Sequence, residues 1–292
     1  MKRVILLLLV IVTACAPSDP QTDIVILTST TLLADLTRNI AGKRLAVDSL
    51  LPVGADPHSY QPVPQDAAKI SKSKVLIING ADYEHFLEAL LENAGGERQI
   101  IEASSGLKLR TEAENEESVD PHLWLDPNNV IVYVENIREG LTHFDPDGAA
   151  IYQSNADSYI AQLEELDKWI NEQVAQIPSE RRLLVTNHEA LGYFAERYSF
   201  KVVGTVIESF SSDAAPSAQK MAALVDQIKS SGAPAIFLDA SDNPALAQQI
   251  AAETGVTVVT DLHLESLTDG APAATYIDMM KHNVTQIVNA LR

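Results

Sequence analysis

The chain has 292 residues, with 40 Asp or Glu against 21 Lys or Arg, for a formal net charge of −19. Such a charge excludes nucleic acid as the expected partner, because binding phosphates needs basic patches. A single cysteine excludes disulfides and cysteine-built metal sites.

Lys2 and Arg3 precede an apolar run over residues 4–12, followed by Thr13, Ala14 and Cys15. This is the order of a secretory signal: charged start, short apolar stretch, small residues at the cleavage point. The run is too short to span a membrane, which takes about 20 apolar residues. "VTAC" is similar to a bacterial lipobox, in which the cysteine becomes the new N-terminus and carries lipid. Residues 1–14 are therefore expected to be a signal peptide, and residues 15–22 a lipidated, flexible tether. A plain secretory signal with an incidental cysteine is the alternative. Cleavage removes Lys2 and Arg3 and no acid, so the mature charge is near −21. Roughly 280 residues remain, too many for one typical core and comfortable for two lobes.

Strands and helices then alternate. "DIVILTS" predicts a strand, residues 31–41 a helix and residues 45–53 a strand. "KVLIING" and "RQIIEAS" predict strands on either side of a helix over residues 83–93. The acidic stretch 111–120 lacks large apolar residues and predicts a solvated, mobile loop. A helix is expected to start near Pro127. Next comes a long helical pattern, with Asp145 as its cap and Pro146 in its first turn. Tyr159, Leu163, Leu166, Ile170, Val174 and Ile177 recur at spacings of three and four, forming one apolar stripe that ends at Pro178. About 30 residues at about 1.5 Å each give a rod of about 45 Å. A coiled coil is the competing reading, but roughly four heptads without flanking repeats argue against it. "RLLVTN", "FKVVGTV", "PAIFLDA" and "GVTVVTD" predict further strands beside helices over 216–230, 244–253 and 276–291. Short apolar strands alternating with helices mean parallel sheets covered on both faces. The expected fold is α/β: two lobes, each a mostly parallel sheet flanked by helices, joined by one linker helix. The expected bounds are 23–144 for the N-terminal lobe, 145–178 for the linker helix and 179–292 for the C-terminal lobe.

Three histidines and one carboxylate stand out by position. His58 follows the strand over 45–53, in "GADPHSYQP", where Gly54, Pro57 and Pro62 forbid a helix. His122 lies in "DPHLWLDP", His188 directly past "RLLVTN", and Glu265 past "GVTVVTD". Ligands of parallel α/β sheets bind outside the carboxyl ends of strands, and two facing lobes would bring these loops to one cleft. Three imidazoles and a carboxylate suit a borderline divalent metal. Each residue also has a plainer reading. A lone loop histidine more often caps or hydrogen-bonds at the surface; on that reading His188 only caps its helix and Glu265 is a solvated acid.

"GADPHSYQPVPQD", "DPHLWLDPNN", "TNHEALGYFAERY" and "SAQKMAALVDQIKSSGAPAIFLD" together resemble the zinc/manganese-binding solute-binding proteins of bacterial ABC transporters (the cluster A-I, or cluster 9, family). The resemblance covers nearly all of residues 23–292. It implies two α/β lobes joined by a single long helix, with one metal ion between them. It also implies ligands at His58, His122, His188 and Glu265. Many members carry Asp at the fourth position, and His263, two residues from Glu265, is a conceivable substitute. Zinc-specific relatives often have a long histidine-rich loop where 111–120 is short, acidic and free of histidine. Manganese relatives often have Glu third and Asp fourth. With His188 third the set is nitrogen-rich, which favours Zn²⁺ over Mn²⁺ or Fe²⁺. The implied partners are an ABC permease with its ATPase, and the membrane through the lipid on Cys15. The chain is expected to be a monomer acting outside the cytoplasm. Loss of one ligand is expected to leave folding intact, on the reading that each sits in a surface cleft.

A zinc-dependent hydrolase is the main rival from another class. His188 is followed by Glu189, but a helical zinc protease needs a second histidine four residues on, where Gly192 stands. No nucleophile elbow, phosphate loop or paired-carboxylate motif is present. An adhesion or chaperone lipoprotein with an incidental metal is the third reading.

Overall fold

The computed structural model describes residues 26–112, 115–214 and 217–292. The expected signal peptide, Cys15 and the tether lie outside them.

In chain order the first half comprises β1 (Ile26–Thr28), α1 (Thr31–Ala41), β2 (Val47–Ser49), α2 (Pro64–Lys72), β3 (Val75–Ile78), α3 (Leu87–Ala94) and β4 (Gln99–Glu102). A small hairpin, β5 (Thr111–Glu112) and β6 (Asn115–Val119), leads to α4 (Pro127–Phe144) and α5 (Ala149–Val174). The second half holds β7 (Leu183–Thr186), α6 (Gly192–Tyr198), β8 (Lys201–Thr205), α7 (Ala218–Ser231), β9 (Ala235–Asp239), α8 (Ala245–Thr254), β10 (Thr257–Leu262) and α9 (Tyr276–Leu291). Among the described residues there are two four-stranded parallel sheets, ordered β2-β1-β3-β4 and β8-β7-β9-β10. The two orders are the same, so each sheet has its switch point between its first and third strands, where α/β sheets bind ligands.

Local chemistry explains most element ends. Thr30 caps α1 by accepting from Leu33 N, and Gly42, at φ 60°, closes it. Asp126 caps α4 by accepting from Asn128 N, with Pro127 in the first turn. The apolar stripe of α5 is buried from Tyr152 to Val174. It packs on α4, α1 and α9, and through them one continuous apolar core reaches from Ile26 and Val75 of the first sheet to Leu184 and Phe237 of the second. Each sheet has a smaller cluster on its other face.

The structure corrects several expectations. Asp145 does not cap the long helix. Its carboxylate is taken by Arg44, at 2.5 and 2.8 Å, and by the Tyr152 hydroxyl. Residues Pro146–Gly148 form a 3-10 turn, and the α-helix proper is 26 residues, about 39 Å long. The helix expected over 83–93 starts only at Leu87, because Gly80, Ala81 and Asp82 are all left-handed, at φ 80°, 51° and 58°. The Glu84 carboxylate holds that turn by accepting from Asn79 N at 2.5 Å, Gly80 N at 3.1 Å and Ser29 Oγ at 2.7 Å. The strand expected over 45–53 is only Val47–Ser49. The described residues of the acidic stretch 111–120 are not an open loop: Thr111–Glu112 and Asn115–Val119 pair antiparallel as β5 and β6, and the stretch ends on Asp120, which is fully buried.

Candidate metal centre

Both "DPH" tripeptides fold alike. Asp56 Oδ1 accepts from His58 N at 2.9 Å, and Asp120 Oδ1 accepts from His122 N at 3.0 Å. In each, the aspartate bends the chain over a fixed proline and presents the histidine two residues on. Asp120 Oδ1 also lies 2.8 Å from His122 Nδ1. That contact fixes the ring and leaves Nε2 free to face the cleft. His122 follows the hairpin rather than a parallel strand. Its turn is tied to the end of β3 by Asn79, whose Nδ2 donates to Pro121 O at 3.1 Å. His188 leaves β7 on a turn held by Thr186 Oγ1, which donates to His188 O at 2.6 Å. Glu265 follows β10, with Trp124 Nε1 donating to the adjacent Leu264 O at 2.8 Å.

These four side chains meet. One donor atom from each of His58, His122, His188 and Glu265 lies within 4.8 Å of every other, and this is the group of its kind among the described residues. His122 Nε2 is 3.3 Å from both His58 Nε2 and His188 Nε2. Glu265 Oε1 stands 3.1 Å from His122 Nε2, 3.3 Å from His188 Nε2 and 3.9 Å from His58 Nε2. A tetrahedron with bonds of about 2.0–2.1 Å has edges of about 3.3 Å, so these separations fit one central ion. Glu265 Oε1 is buried and has no well-aligned hydrogen bond, while Oε2 accepts from the Tyr83 hydroxyl at 2.6 Å. The carboxylate therefore offers one oxygen to the centre. The edge of Tyr83 on His58 and the ring of Trp124 beside His122 wall the site against water.

The electrostatics follow from burial and from which charges face which. Burial works against a charged His122, but the Glu265 carboxylate and the Asp120 hydrogen bond outweigh it and push its pKa up to about 10. Burial drives His58 down to about 4 against the pull of Glu265. Burial would raise Glu265, yet the facing His122 charge and the approach of His188 and His58 hold it well below the usual carboxylate range. Without metal the charged form of His122 is thus favoured near neutral pH, its ring lying between two carboxylates.

His263 lies elsewhere. Its backbone N–H donates to Asn283 Oδ1, and its ring stands 5.4 Å from that of His282. Asp120 and Tyr83 escaped the sequence reading, because one sits in an acidic run and the other in a presumed helix. The repeated "DPH" was the available signal for Asp120.

The family described as zinc-uptake complex component A, periplasmic (ZnuA), matches residues 26–290. The chain belongs to this family. It is similar to the manganese-binding lipoprotein MntA of Halalkalibacterium halodurans, 36% identical over 294 residues, covering 99% of this chain and 97% of the relative. A Mn-bound periplasmic metal-binding protein from Candidatus Liberibacter asiaticus superposes with a TM-score of 0.83 at 29% identity, covering 92% of this chain and 99% of that one. The periplasmic zinc-binding protein TroA of Treponema pallidum superposes at 0.84 and 27% identity, covering 91% and 98%. As a member of the ZnuA family, this chain is a metal-binding substrate-binding protein of an ABC transporter and not an enzyme. Its cargo is a divalent metal.

Proposed function

We propose that the chain captures one Zn²⁺ ion with His58, His122, His188 and Glu265 and hands it to a permease driven by an ATPase. The observation that carries this reading is the convergence of four donor atoms at tetrahedral spacing, with Tyr83 occupying the second oxygen of Glu265. Imidazole donors suit zinc, whereas manganese favours oxygen donors in octahedral sites. Mn²⁺ is the second reading, favoured by the names of MntA and the Mn-bound neighbour. Zinc outcompetes manganese at most nitrogen and oxygen sites, so the metal content of protein purified from cells supplied with both metals, together with its coordination number, separates the two. The zinc reading expects about one equivalent of four-coordinate Zn²⁺, and a stabilisation of about 4 kcal/mol at 1,000 times its dissociation constant. A predominance of Mn²⁺ in a five- or six-coordinate site refutes it.

All four donors come from one chain, which supports action as a monomer. The division into lobes 23–144 and 179–292 about a linker at 145–178 belongs to the same proposal, supported by one sheet preceding α5 and one following it. No helix among the described residues is long and apolar enough to cross a membrane. The lipoprotein names of relatives support a lipid anchor at Cys15 outside the cytoplasm. Cys15→Ala is expected to move the protein from the membrane fraction to the soluble one, and unchanged membrane association would rule the anchor out.

A further inference from the structure

Arg110 and Asp120 close the base of the β5–β6 hairpin, with Asp120 N donating to Arg110 O at 2.8 Å. That base is seated on α6, from the other half of the chain. The Tyr193 hydroxyl accepts from Arg110 N at 2.9 Å and donates to Asp120 O at 3.0 Å. Arg110 Nη1 reaches Glu196 Oε2 at 2.7 Å, and its guanidinium carbon lies 5.6 Å from the centre of the Tyr193 ring. Asp120 Oδ1 is committed to His122, and Oδ2 is buried without a hydrogen bond. What faces Oδ2 is Arg110 Nε, at 3.4 Å.

Gly192 makes this approach possible. A Cβ at Gly192 would stand 2.6 Å from Asp120 Oδ2 and 2.7 Å from Arg110 Nε, closer than real side chains come. Gly192 is the first residue of α6 and is not among the positive-φ glycines. Space, rather than backbone freedom, is therefore what the position requires.

We propose that Arg110 and Gly192 are positioning residues for the metal site: with Tyr193 and Glu196 they lock Asp120, and through it the aim of His122 Nε2, so that the seating of the hairpin on α6 sets metal affinity. The proposal rests on the reading of His122 as a metal ligand. It gives the acidic hairpin a role, since its two ends are the parts that clamp the site. It also makes the affinity depend on contacts between the two halves made by side chains outside the four donors.

The test compares wild type, Gly192→Ala, Arg110→Gln and Arg110→Lys by zinc affinity, by the visible spectrum of the Co²⁺-loaded protein and by metal-free melting. Losing a group that orients a ligand typically costs about 10–100-fold in affinity, so Gly192→Ala and Arg110→Gln are each expected to weaken binding by about tenfold or more. Arg110→Lys keeps a charge facing Asp120 and is expected to recover part of the loss. Both weakened variants should shift the cobalt bands, which report the ligand field. Alanine favours a helix over glycine, so Gly192→Ala should not lower metal-free stability through α6 itself. Zinc affinities within about twofold of wild type for both variants would overturn the proposal. So would a loss of affinity with unchanged cobalt bands, since that marks a merely structural defect. A wild type that binds no metal would instead refute the reading of the site itself.

Discussion

Replacing His122 with alanine is expected to weaken zinc binding by about 10²–10³-fold. Four-ligand zinc sites bind with apparent free energies of about 10–16 kcal/mol, and a quarter of that is about 2.5–4 kcal/mol. His122 belongs at the top of that range because it is central, lying 3.1–3.3 Å from all three partner atoms. The same change should destabilise the protein before any metal is added. His122 is fully buried, not set in a surface cleft, and its imidazolium lies between Asp120 Oδ1 and Glu265 Oε1. Removing one partner of a buried ion pair costs about 3–5 kcal/mol, because the remaining charge stays desolvated. His85→Ala is the control: its side chain is 72% exposed and it touches none of the four donors. Equilibrium titration and metal-free denaturation of both variants check this. A His122→Ala protein with wild-type affinity would remove His122 from the site.

Metal uptake should release about one proton near neutral pH. His122 is raised to about 10 in the folded protein without metal, and zinc needs it neutral. Affinity should therefore rise about tenfold per pH unit between about 7 and 10. The metal-free fold responds in the opposite sense. Stability from a raised histidine is fully present below its unfolded value of about 6.5 and is lost as pH rises through about 10. Glu265 adds stability that is present above the ordinary carboxylate range and is lost as pH falls towards its depressed value. Metal-free protein is thus expected to weaken over the same alkaline window in which zinc binding tightens. Calorimetric titration in buffers of differing ionisation enthalpy counts the protons, and a count of zero at pH 7.5 would contradict the charged form of His122.

Much of this architecture was legible in the sequence because periodicity and turn chemistry are local. Thr31–Ala41 and Tyr276–Leu291 have the bounds expected from the helical spacing of their apolar residues. The four side chains that meet were also legible, as residues placed past breaks in the pattern. What local signals miss is where a polar group's partner comes from. Asp145 looks like a cap until Arg44, 101 residues earlier, takes both its oxygens. Tyr83 reads as helical until Glu84 turns back to hold the left-handed Gly80–Asp82 turn. Asp120 reads as one more solvated acid until the fold buries it between His122 and Arg110. Gly192 reads as the reason this is no zinc protease, and only the packing shows what its missing side chain makes room for.

The central claim is that one ion sits among three imidazoles and a single carboxylate oxygen. X-ray absorption on the zinc-loaded protein tests it most directly. The account predicts four light ligands at about 2.0–2.1 Å, with the multiple-scattering signature of three imidazoles. A shell of five or six oxygen-dominated ligands, or a signature of one imidazole or none, would contradict it.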